Sequence, residues 1–295
     1  MTRPAPTGPA SVEDLRARID SIDDAILDLL AQRADAVRDV AQAKAPGVAL
    51  RPAREAQMIR RLTGSADKHV PDGLVGAVWR EIVSGFTHAQ TPFAVAVCCD
   101  AQAAGDDAGP MALARDHFGR FAALLRVDAP QRAIGLVSSG EAAAALVPPP
   151  WSGAERPWWP DLIGAAGSGD AMRINGLLPF APRAVGRPFP DMVVVGRAPI
   201  APTGDDRSLF AVQLSEPISR DRLTAMLDAA GLSPRAIDQW RPGGGVRDAG
   251  GLAVLLIETD GYLDENDRRL ADLASSGRDV VDWARRAGAY PTPAQ

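Results

Sequence analysis

Cysteine is nearly missing from this 295-residue chain, which has two, Cys98 and Cys99, side by side. Adjacent cysteines cannot staple distant segments, so a disulfide framework is excluded. Histidine numbers three (His69, His88 and His117) and is scattered without metal-ligand spacing, which reads as ordinary surface or half-buried residues. No run approaches the ~18 apolar residues of a membrane span, and the opening MTRPAPTGPA lacks the apolar core of a secretory signal. Excess positive charge is also missing. A net charge of -5 argues against nucleic acid or an anionic membrane as partner, so any cationic site must be local. These absences predict a cytoplasmic chain of about two domains. Lysine is confined to Lys44 and Lys68, so a lysine on an apolar stripe stands out.

What is present begins with helices. Residues 11–45 read as one long helix, with Ser11 as N-cap, Asp14 at the third helical position and an apolar stripe starting at Leu15 and Ile19. The stripe continues through Ile22, Ile26, Leu29 or Leu30, Val37 and Val40, and Pro46 and Gly47 stop it. PAREAQMIRRL reads as a second helix opened by Pro52. A third runs from Leu74 to about Gln90, with Val75, Val78, Trp79, Ile82, Val83 and Phe86 on one side. After Phe93 the texture becomes α/β. FAVAVCC, DMVVVGR, SLFAVQL and GLAVLLIE read as strands, and GPMALARDHFGRFAALL, SRDRLTAMLDAAG and DENDRRLADLAS as helices. VPPPWSGAERPWWP reads as a rigid loop and YPTPAQ as a frayed tail.

Arg33 and Lys44 both fall on the apolar stripe of the first helix, about 16 Å apart along its axis. Long side chains leaning inward could close around one small anion between them. Arg16 lies roughly 25 Å from Arg33 and about 100° round the helix, out of reach within one chain but within reach from an antiparallel partner. A helix roughly 50 Å long cannot be covered by two short ones, so its stripe calls for a second copy. Arg54 and Glu55 stand near the start of the second helix, where anions are favoured. Gln90, eleven residues after Trp79, places a polar amide on the apolar face of the third. The plain alternative is a set of snorkelling arginines and lysines.

LRARIDSIDDAILDLLAQRADAVRDVAQAK, RPAREAQMI and IVSGFTHAQ together resemble the all-helical chorismate mutase domain, an intertwined three-helix dimer, as found ahead of prephenate dehydratase. The resemblance covers residues 11–92 and implies conversion of chorismate to prephenate with neither metal nor cofactor. It implies that Arg16 of the opposite subunit, Arg33 and Arg54 grip the carboxylates. Lys44 and Gln90 bond the ether oxygen, and Glu55 orders the ring hydroxyl. Arg33, Lys44 and Gln90 then form the catalytic set. Phe86 departs from the serine of many relatives, and Arg51 from an acidic residue in some.

The second half resembles a reduced dehydratase (93–206) followed by an ACT-like domain (207–288), with 1–10 and 289–295 as tails. MALARDHFG, SGEAAAALVP and RDRLTAMLDAAGLSPRAIDQWRP carry the likeness. The dehydratase's Gly-Pro-x-Gly-Thr turn reads CCDAQAAGDD, and its Thr-Arg-Phe triplet reads Pro190, Asp191, Met192. In the ACT-like part Arg241 and Pro242 survive while their neighbours do not. The expectation is a chorismate mutase with a non-catalytic C-terminal region. A bifunctional mutase/dehydratase and a chorismate-binding regulatory subunit remain the alternatives.

Overall fold

The structure is a computed structural model that describes residues 11–43, 50–71, 73–99, 109–152, 157–164, 171–180, 191–241, 252–277 and 279–293. By packing, the chain forms two units, Met1–Gly47 and Val48–Gln295.

The first unit is built on one helix, α1 (Val12–Ala43). The Asp14 N–H donates to Ser11 Oγ (3.1 Å), and the Asp14 carboxylate accepts from the Ser11 N–H (3.1 Å). This is the reciprocal cap expected from the sequence. None of the described residues of α1 is buried, and Leu15, Ile19, Ile22, Ile26 and Leu29 are 48–62% exposed.

In the second unit, α2 (Pro52–Gly64) and α3 (Leu74–Gln90) precede a nine-stranded sheet. Its strands are β1 (Ala94–Cys98), β2 (Ala123–Val127), β3 (Ala144–Val147), β4 (Arg173–Leu178), β5 (Met192–Gly196), β6 (Asp206–Leu214), β7 (Pro234–Trp240), β8 (Val254–Asp260) and β9 (Val281–Pro291). The spatial order is β2-β1-β3-β5-β4-β9-β6-β8-β7. β1 pairs parallel with β2 and β3, and the last four strands form an antiparallel group. Five further helices pack on it: α4 (Pro110–Phe118), α5 (Pro130–Ser138), α6 (Pro160–Gly164), α7 (Arg220–Ala229) and α8 (Arg268–Ser276).

Period-two alternation sorts the strands' side chains. Ala96, Val193, Val195, Leu209, Ala211 and Leu256 join one continuous core, covered by Ile134 and Val137 of α5 and Leu162 of α6. Val95, Val97 and Val194 face the other way, against Ala56 and Ile59 of α2 and Met111 and Leu113 of α4. On the antiparallel half, Phe210, Val212 and Ile257 meet Leu227 of α7 and Leu273 of α8. The halves join at β4–β9 through the single registered pair Ile174–Gly288. A Cβ at Gly288 would lie 2.1 Å from the Ile174 carbonyl oxygen, so only glycine fits the seam.

Two expectations are corrected. The helix expected over 109–125 is α4 followed by β2. Gly119, at φ +76°, ends α4, and a Cβ there would sit 2.5 Å from Ser84 Cβ of α3. The chain turns in that tight space, and the short apolar run ALLRV continues as a strand beside β1. The tail expected from 289 is instead part of β9 up to Pro291. Tyr290 is buried there, its hydroxyl donating to the Glu258 carboxylate, because β9 lies inside the sheet between β4 and β6.

Candidate active site

Arg16 and Arg33 lie on α1, in the first unit. Arg16 is exposed and Arg33 half-buried. Burial lowers the Arg33 pKa, yet a guanidinium stays charged in proteins. Lys44 lies outside the described residues. The other three expected residues belong to the second unit.

On α2, Pro52 fits the first helical turn, where no backbone N–H is needed. The neighbours Arg54 and Glu55 then point apart, as consecutive helical residues do. Arg54 is exposed, whereas Glu55 is half-buried, and its Oε2 accepts a hydrogen bond from Arg80 Nη1 of α3 at 3.0 Å. The Arg80 side chain is 9% exposed, and its guanidinium lies 5.3 Å from the centre of the Phe180 ring. Desolvation lowers the Arg80 pKa and Glu55 opposes that shift. His117, edge-on to Phe118, is held neutral, its pKa pushed well below the usual value by burial and by Arg80.

Arg80 is the residue that sequence reasoning missed. The buried residues of α3 are Gly76, Arg80 and Ser84, an i, i+4 row, with Ser84 Oγ donating to the Phe118 carbonyl. The expected apolar side of α3 is covered less fully: Trp79, Ile82, Val83 and Phe86 are half-buried and Val78 is 40% exposed. Leu62, Val70, Leu74, Val75, Val78 and Trp79 line an apolar groove of about 310 Å³. The available signal for Arg80 was its position four residues from both Gly76 and Ser84, a second stripe of small residues with one cation in it. Gln90 is the last residue of α3 and is exposed. The structure thus brings Glu55 to Arg80 and leaves Arg54 and Gln90 at the surface of the second unit.

Residues 15–91 match the family model of chorismate mutase type II, so the N-terminal part of the chain carries that domain. A search of curated proteins found no match. Among solved structures, the chain is similar to a novel type of quorum-quenching acylase, GqqA (14% identity, 68% of this chain, 95% of that one, TM-score 0.47). It is also similar to the prephenate dehydratase of Streptococcus mutans (12%, 67% and 97%, TM-score 0.44). A third is the prephenate dehydratase of Arthrobacter aurescens in complex with L-Phe (16%, 68% and 92%, TM-score 0.44).

Proposed function

We propose that the chain is a chorismate mutase. It catalyses the rearrangement of chorismate to prephenate in phenylalanine and tyrosine biosynthesis, as a homodimer formed through its N-terminal helices. The observation that carries this reading is the family match over 15–91, which spans Arg16, Arg33, Lys44, Arg54, Glu55 and Gln90 together.

The chemistry suits that residue set. The rearrangement is intramolecular and pericyclic, so it calls for neither nucleophile nor proton relay. The enzyme must hold a compact conformer of a dianion, a positioning effect. It must also stabilise negative charge that grows on the ether oxygen as its bond breaks. Arg33, Arg54 and the partner's Arg16 hold the carboxylates. Lys44 and Gln90 face the ether oxygen. Arg80 engages Oε2 of Glu55, which orients the carboxylate so that Oε1 accepts the ring hydroxyl.

Dimerisation is supported by exposure. In the first unit the Leu15–Leu29 stripe of α1 leaves Leu15, Ile19, Ile22, Ile26 and Leu29 about half exposed, and the second unit has its own apolar groove beside Trp79; exposed apolar faces of this kind mark interaction sites. In the C-terminal region, Pro190, Asp191 and Met192 read in place of a dehydratase's Thr-Arg-Phe triplet, so proline and aspartate replace its threonine and arginine, and Met192, which opens β5, is buried. We assign that region a non-catalytic role. The test is to incubate the chelator-treated full chain with chorismate. Prephenate formed well above the uncatalysed rate supports the reading, and turnover at the uncatalysed rate overturns it.

A further inference from the structure

The helix α2 carries Arg54 and Glu55, yet its own packing says little about where along its axis it should sit. Its buried side chains are Ala53, Ala56 and Ile59. Two alanines present a smooth surface, and apolar contact is non-directional, so this face holds the helix down without fixing its register. The directed bonds come from the opposite end of the sequence. Gln57 Nε2 donates to the Pro202 carbonyl at 3.1 Å. Arg60 Nη1 donates to Thr203 Oγ1 at 2.9 Å, and Nη2 donates to the Asp205 carbonyl at 2.9 Å and to the Thr292 carbonyl. The Arg60 guanidinium also lies 5.6 Å from the centre of the Phe180 ring.

The socket that receives Arg60 is held together by bonds of its own. Asp206, which opens β6, is 7% exposed. Its Oδ2 accepts from the N–H groups of Thr203 (2.7 Å) and Gly204 (3.1 Å), and its Oδ1 accepts from the Thr203 hydroxyl (2.6 Å). A hydroxyl whose one proton is committed in this way presents lone pairs to Arg60. The Thr292 N–H donates to the Asp205 carbonyl at 3.0 Å, which ties the end of β9 to the same turn. Arg60 thus plugs a fixed fork into acceptors on two segments of the sheet region.

Arg54 and Glu55 precede Arg60 by six and five residues, about 8–9 Å along one short helix, so a shift of α2 carries them with it. We propose that Arg60 is a positioning residue for the chorismate site. Docked in the Thr203–Asp205–Thr292 socket, it sets the register of α2 and makes the non-catalytic sheet region a requirement for substrate affinity. This rests on the mutase reading for its effect on chorismate, whereas the docking of α2 stands apart from that reading.

The test uses the full chain, with kinetics run well below the unfolding midpoint. Because Arg54 acts on a carboxylate bound in ground and transition states alike, Arg60→Met should raise KM for chorismate at least about tenfold and leave kcat within about threefold. Arg60→Lys, which reaches fewer of the acceptors, should recover part of the loss. A KM within about twofold of wild type in folded Arg60→Met overturns the proposal, and so does an unchanged KM in Arg60→Lys where the first variant fails to fold. Hydrogen exchange of the substrate-free chain reads the docking itself. Amides of α2 should exchange at least about tenfold faster in the variant that folds, while those of α7 keep their wild-type rates. Unchanged exchange in α2, or an equal rise in α7, would overturn the docking. If the wild-type chain leaves chorismate untouched, the mutase reading falls, the role in substrate affinity falls with it, and exchange alone decides the docking.

Discussion

Lys44 and the arginines are expected to act at different points on the reaction coordinate. In the proposed site, the arginines meet carboxylates present in substrate and transition state alike, so much of their energy would be uniform binding. Lys44 in that proposed site meets an oxygen that gains charge only as the bond breaks. Lys44→Ala should therefore lower kcat by about 10²-fold or more, while Arg33→Ala and Arg54→Ala should raise KM as well. Lys44→Arg should not restore full activity, since a planar fork replaces a compact charge. Steady-state kinetics decide this, and a raised KM with unchanged kcat in Lys44→Ala would make it a carboxylate clamp. Arg80 matters in another way. Arg80→Ala leaves the half-buried Glu55 carboxylate without its cation and should cost about 3 kcal/mol of stability. Removing Glu55 as well should recover part of that loss, which denaturant melts of the two single variants and the double variant would read. Arg33, Arg54 and Glu55 stood out in the sequence because charge on or beside an apolar stripe is conspicuous. Arg80 was not, because one sequence does not say which of two helix faces is buried, and the more apolar face of α3 is the less covered one.

At the scale of elements, α1 to α3 were readable because caps, breakers and period agree. Ser11 and Asp14 cap α1 as expected, and Pro52 opens α2. Short apolar runs were harder. ALLRV in β2 fits either a strand or the end of a helix until Gly119 and its approach to Ser84 are known. Tyr290 gave no warning that the chain's last segment is a buried interior strand, since its place between β4 and β6 is a long-range fact. The exposed stripe of α1 yields a direct prediction. Ile22→Asp places a charge in the centre of the proposed dimer seam, where it would be desolvated without a partner. Sedimentation equilibrium should show a shift from dimer to monomer, with mutase activity lost in parallel. An unchanged dimer with full activity would place the interface elsewhere.

Considered whole, the chain carries a chorismate mutase type II match near its N-terminal end and a nine-stranded sheet after it. The α/β texture after Phe93 was legible from runs such as DMVVVGR and SLFAVQL, and the nine-stranded order was not, because strand pairing across long separations leaves no local trace. With Pro190 and Asp191 where the dehydratase triplet has threonine and arginine, prephenate offered to the chain at neutral pH should yield phenylpyruvate no faster than the buffer does. Enzymatic phenylpyruvate that persists in Lys44→Ala would reveal an active site in the sheet unit. The central claim is that two chains share one cationic site along α1, and subunit mixing tests it most directly. Arg16→Ala and Lys44→Ala chains should each be nearly inactive alone. In a heterodimer, one of the two sites takes its lysine from the first chain and its partner arginine from the second, and is wholly wild-type. Isolated heterodimers should therefore recover about half of the wild-type chorismate turnover per dimer. Heterodimers no more active than either parent would contradict the shared site.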